Sequence, residues 1–149
     1  MESSVIKNPL DTSSVRENAP VSALASCTLY VCTSCRERGM PRDPKGNRPG
    51  FILFQRVKEA ISNSPLHDQV EVRAAECLSI CPRPCGIAIA TPDHWNYLFG
   101  DQNPENCVED IVDCISVYLH SEKGFMTRNR RPKSLRSSIL GRIPPLEAK

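Results

Sequence analysis

Five cysteines fall in two short clusters, C-T-S-C (Cys32, Cys35) and C-L-S-I-C-P-R-P-C (Cys77, Cys81, Cys85). Two cysteines separated by two residues can turn both sulfurs onto one metal, a spacing shared by zinc sites, iron–sulfur sites and dithiol redox pairs. Cys77, Cys81 and Cys85 are four apart and would form one stripe on a helix. Pro82 and Pro84 forbid a regular helix there, because each lacks an N–H and blocks the preceding turn. The segment is therefore expected as an irregular loop whose free backbone N–H groups, Ser79 and Ile80 among them, can donate to sulfur. The chain holds eight cysteines in 149 residues. Without a secretory signal at the N-terminus, thiols in this number read as metal ligands or redox groups of a reducing, cytoplasmic compartment rather than as disulfides.

The remaining candidates divide differently. Cys107 and Cys114 lie on one predicted helix, seven residues and about 10.5 Å apart along its axis. That separation exceeds disulfide reach, so both are expected to pack in the core. Cys27 precedes the first predicted strand and carries no expected role. His67, His94 and His120 lack the spacing of a zinc motif and are expected at the surface or as caps.

Elements that would position the thiols are legible. Thr28–Cys32 reads as a strand ending at the first cysteine pair, and residues 36–49, with three prolines and two glycines, as a loop. From Gly50 to Asn63 the apolar positions Leu53, Phe54, Val57, Ala60 and Ile61 recur at helical spacing. Val70–Glu76, Gly86–Thr91 and the alternating Trp95, Tyr97 and Phe99 give three further strands, the last alternation reading as one buried sheet face. Asn103-Pro104 reads as a helix start, followed by the face Val108, Ile111, Val112, Ile115 and Leu119. The order is β-α-β-β-β-α, with a parallel right-handed first unit and a hairpin from the last two strands. This is an α/β sandwich of the thioredoxin-like kind. Its ligands are expected at the C-terminal ends of strands.

Residues 1–26 are expected as a disordered leader, 27–121 as the domain, and 122–149 as a basic, proline-containing tail with at most one helical turn near Lys133–Leu140. Residues 1–120 hold 11 Lys/Arg against 15 Asp/Glu, whereas 121–149 hold 8 against 2. No aromatic residue usefully interleaves the basic ones, so the tail is expected as a solvated or docking arm and nucleic acid is not an expected partner. No apolar run nears the ~20 residues of a membrane span. No carboxylate pair, Ser–His–Asp set or phosphate-binding glycine loop appears, so an enzyme is not expected.

Glu76-Cys77-Leu78-Ser79-Ile80-Cys81 resembles the second half-site of thioredoxin-like [2Fe–2S] ferredoxins and of the small iron–sulfur subunit of NADH dehydrogenase, with Ser79 where glycine is usual. Over about residues 28–146 the chain more closely resembles an uncharacterised bacterial family of predicted metal-binding proteins. The shared features are Cys32/Cys35, Cys77/Cys81/Cys85, the Trp95–Asp101 stretch W-N-Y-L-F-G-D, Arg131-Pro132 and Ile143-Pro144-Pro145. That resemblance implies electron delivery or metal handling near corrinoid (cobalamin) metabolism.

The leading expectation is a ferredoxin-like electron carrier holding a [2Fe–2S] cluster on Cys32, Cys35, Cys77 and Cys81, with Cys85 as an alternate or adjacent thiol. It would serve a redox partner protein, and a homodimer is an allowed assembly. The mildly acidic domain suits a basic partner surface. Zinc in a structural or metal-chaperone site, held by any four of the five thiols, is the second reading. A thiol–disulfide oxidoreductase using Cys32/Cys35 is the third.

Overall fold

The structure is a computed structural model that describes residues 26–81 and 83–146. The expectation for the 1–26 leader falls outside these residues apart from Ser26, as does Pro82. Five strands and two helices build the fold: β1 (Cys27–Cys32), α1 (Pro49–Ser62), β2 (Val70–Ala75), β3 (Ile87–Ala90), β4 (Asn96–Phe99), α2 (Val108–Leu119) and β5 (Ile139–Ile143). The sheet order is β2-β1-β3-β4-β5. β1 and β2 run parallel, with Cys27 opposite Val70 and Cys32 opposite Ala75. β3 is antiparallel to β1 and β4 to β3, so the expected parallel unit and hairpin are both present.

Period-two alternation sends Cys27, Leu29 and Val31 of β1, Ile87 and Ile89 of β3, and Tyr97 and Phe99 of β4 to one buried face. Leu53, Val57 and Ile61 of α1 and Ile111, Ile115 and Tyr118 of α2 complete that layer. Each fully buried side chain of this size contributes about 1.5–3 kcal/mol over leaving it in water. The opposite face is open: Tyr30, Ala88 and Leu98 are half-buried and line a shallow, almost wholly apolar hollow of about 360 Å³. The aromatic alternation is as expected for Tyr97 and Phe99, which stack with ring centres 6.0 Å apart. Trp95 sits at the rim, edge-on to Phe125 at 5.3 Å.

Three sequence expectations are corrected. Asn103 does not open α2. Its side chain accepts the N–H of Glu105 at 2.7 Å and its carbonyl accepts that of Cys107, which closes a separate turn before the helix begins at Val108. Cys27 is not a bystander but the first buried residue of β1.

The segment from residue 122 onward does not trail from the domain. It carries three single-turn 3-10 helices and then β5, which pairs antiparallel with β4 from Asn96–Ile143 to Phe99–Ile139. Met126 and Leu135 are fully buried, and Arg131 is only 4% exposed. The Arg131 guanidinium donates to the carbonyls of Leu135, Met126 and Arg136. Arg142 lies over the rings of Trp95 and Phe125. Part of the basic charge thus serves inward as donors and ring contacts, not as a solvated arm.

Candidate metal centre

The parallel register of β1 and β2 decides where the thiols go. β1 ends at Cys32, opposite Ala75, and Cys77 follows two residues later on the neighbouring strand's exit. Both cysteine motifs therefore leave the same end of the sheet. The Thr33 N–H and hydroxyl both donate to the Ala75 carbonyl, and the Ser34 hydroxyl donates to that of Glu76. The Cys32 N–H donates to Gly86 at 2.9 Å, so the C-x-x-C turn is laced to both ends of the second loop.

The first turn of α1 returns to this turn. Gly50 donates its N–H to the Cys35 carbonyl at 3.0 Å, and a Cβ on Gly50 would stand 2.1 Å from the Cys32 carbonyl oxygen. Only glycine permits that approach. Residues 36–49 are indeed a loop, with a single 3-10 turn at Lys45–Asn47. Despite its length the loop delivers a helix N-terminus to the thiols, and the positive end of the helix dipole favours negative charge there. Sequence reasoning missed this, since the apolar periodicity gives the helix but not where its first turn lands.

Residues 76–86 form no regular element among the described residues. The loop is irregular but tied. The carbonyls of Arg83 and Cys85 accept the N–H groups of Asp101 and Gln102, and the Arg83 guanidinium pairs with the Asp101 carboxylate. That pair holds the Arg83 pKa above its ordinary value. Ser79 has φ 57, the left-handed region that glycine adopts freely. Its N–H donates to the Cys77 sulfur at 3.3 Å. The Leu78 and Gly86 amides act to lower the pKa values of Cys32 and Cys35, respectively. Of the two donors expected from sequence, Ser79 is found in this role.

The five candidate thiols are not equivalent. Cys32, Cys35 and Cys85 are buried, and the Cys35 thiol is electrostatically coupled to both Cys32 and Cys85. Cys77 and Cys81 are exposed. All eight cysteines are free thiols. Among the described residues no three His, Cys, Asp or Glu side chains are grouped closely enough to grip a metal ion. The donor set nevertheless suits a soft metal centre: it is all sulfur, it gathers at one sheet end, and the Ser79 N–H donates to the Cys77 sulfur.

Contact with the Cys35 thiol and then burial push Cys32 well above the ordinary thiol range. For Cys35 the hydrogen bond from Cys32 pulls downward, but contact with Cys85 and burial outweigh it and leave the pKa at about 11. Both sites hold protons at neutral pH in the metal-free protein, and a thiophilic metal would displace them.

The other candidates stand apart from this end. Cys114 is buried with its thiol 3.9 Å from the Met126 sulfur, and Cys107 is buried at the start of α2. His67 pairs with Asp68, His94 meets the Pro92 carbonyl, and His120 meets the Ser116 carbonyl at the end of α2.

Comparison with known proteins bears on the fold. A thioredoxin-like [2Fe–2S] ferredoxin from Aquifex aeolicus superposes with a TM-score of 0.53 at 20% identity, covering 81% of this chain and 96% of that one. A second structure of the wild-type ferredoxin gives 0.51 at 20%, over 78% and 98%. A cysteine-to-serine variant gives 0.51 at 21%, over 77% and 98%. The fold is thus thioredoxin-like, as its strand order and topology led one to expect. No curated protein matches the chain. Residues 29–145, from within β1 to just beyond β5, match the pattern of one family, and the chain belongs to it: DUF1636, proteins of unknown function.

Proposed function

We propose that this chain is a small [2Fe–2S] electron carrier, with Cys32, Cys35, Cys77 and Cys81 as ligands and Cys85 as the adjacent fifth thiol. The observation that carries the reading is the convergence of both cysteine motifs at one end of the sheet, tied by the Cys32–Gly86 and Thr33–Ala75 hydrogen bonds. The likeness to ferredoxins named for such a cluster supports it. When bound, the cluster supplies one-electron chemistry. The chain's own residues do the rest. Burial of Cys32 and Cys35 excludes water from one side, exposure of Cys77 and Cys81 leaves the other open to a partner, and the Ser79 N–H on the Cys77 sulfur offsets thiolate charge. The protein is an electron carrier rather than a catalyst in this reading. Its reduced thiols suit the cytoplasm, and no described helix is long and apolar enough to cross a membrane. The resemblance to a corrinoid-linked family supports a role in corrinoid metabolism.

The same all-sulfur set favours zinc as the second reading, in a closed four-thiolate site. Anaerobic purification and a visible spectrum separate the two. A brown protein that bleaches with dithionite supports the carrier, and a colourless protein with one zinc per chain supports the alternative.

A further inference from the structure

Beside the thiols, and reaching Cys81, lies a concave hollow of about 440 Å³. Its wall is made by Arg36, Arg38, Arg42 and Arg48 from the loop between β1 and α1, and by Cys81 and Pro84 from the second loop. Glu37 is the one carboxylate residue on the lining. Four guanidiniums against one carboxylate is a dense positive charge for a domain whose first 120 residues are net negative. Among the described residues none of the four arginines takes part in an ion pair.

Two of them are held in place without losing their charge. Arg36 donates Nη1 to the Met40 carbonyl at 2.7 Å, and Arg48 donates Nε to the Arg42 carbonyl at 2.7 Å. Both are half-buried, while Arg38 and Arg42 are exposed at the rim. Neutral carbonyl partners fix a guanidinium's position and leave further N–H donors of its fork for an oxyanion. Four arginines without an ion-pair partner among the described residues, converging on one concavity, give a positive field that concentrates small anions there. The volume falls in the ~300–1,000 Å³ range of small-molecule sites, whereas a protein partner would meet a broader and flatter surface.

The geometry points to an anion-binding site here, taking a small phosphate-bearing molecule in contact with Cys81. The site does not depend on metal at the thiols, although the same positive field would also offset the negative charge of a metal–thiolate centre. A bound ligand would cover one of the two exposed candidate thiols.

Calorimetric titration of the purified full chain with inorganic pyrophosphate tests this, with iron measured in the same sample so that the metal reading stands or falls separately. Binding below about 1 mM is expected at low salt, since charge-assisted bidentate contacts are the strong class. The double variant R38Q/R42Q, altered only at exposed side chains, should weaken binding at least tenfold. R56Q, altered at a residue paired with Glu105 elsewhere on the surface, should leave it unchanged. Undetectable binding at 10 mM pyrophosphate overturns the proposal, as does equal binding by R38Q/R42Q. Arginine-dependent capture of a hexaglutamate peptide without pyrophosphate binding also overturns it, in favour of an acidic protein segment.

Discussion

Ser79 shows how one backbone angle links motif to site. At φ 57 a side chain meets the following carbonyl, a cost of roughly 1–2 kcal/mol that glycine escapes. The resemblance to half-sites with glycine at this position has a physical reason: the loop must turn through the left-handed region to aim the residue's N–H at the Cys77 sulfur. Ser79→Gly is expected to stabilise the folded chain by about 0.5–1 kcal/mol, the relief being partly offset by the greater freedom of glycine when unfolded. Urea unfolding measures this, and a variant less stable than the parent would contradict it. The thiols divide at this scale too. Spacing alone separated Cys107 and Cys114 from the clustered five, and both are buried away from them. Spacing could not order the five among themselves, because the burial of Cys85 depends on how the loop is tied to Asp101 and Gln102.

Among the elements, both helices and the first four strands were legible because each carries several apolar residues at one period. β5 was not. It is five residues long and contains Gly141, its two inner positions are only half-buried, and it follows a run of arginines that reads as solvated. What makes it a strand is the free edge of β4, which no local pattern reveals. The α2 start was misplaced for a related reason: an Asn-Pro pair signals a turn as readily as a cap. If β5 belongs to the domain, ending the chain after Arg136 removes the β4–β5 ladder and the Ser138 contacts to Gly100 and Gln102. The expected loss is about 3 kcal/mol or more. A denaturation midpoint equal to that of the full chain would instead mark residues 137–149 as a free tail.

For the molecule as a whole, pH gives a test independent of the candidate ligands. Burial pushes the Cys27 and Cys114 thiols from 9.0 up to about 12. The unfolded chain releases these protons near its ordinary thiol pKa while the folded chain retains them, so their contribution is whole below pH 9 and is lost as pH rises toward 12. Thermal midpoints should therefore be level between pH 7 and 8.5 and fall above pH 9. The fall should be shallower in a Cys27→Ala/Cys114→Ala variant, and an identical slope in both proteins would contradict the assignment. Charge distribution is the other property of this scale. The acidic excess of the first 120 residues suggested a basic partner, yet the face beside the thiols is lined by arginines. Net charge is a sum, and only the fold decides which charges share a surface.

Iron and acid-labile sulfide, quantified per chain in anaerobically purified protein and in four serine variants, test the central claim most directly. The account predicts about two irons and two sulfides in the parent chain. It predicts their loss in Cys77→Ser and Cys81→Ser and their retention in Cys107→Ser and Cys114→Ser. A parent protein without iron or sulfide, or loss of both in the two helix variants, would contradict it.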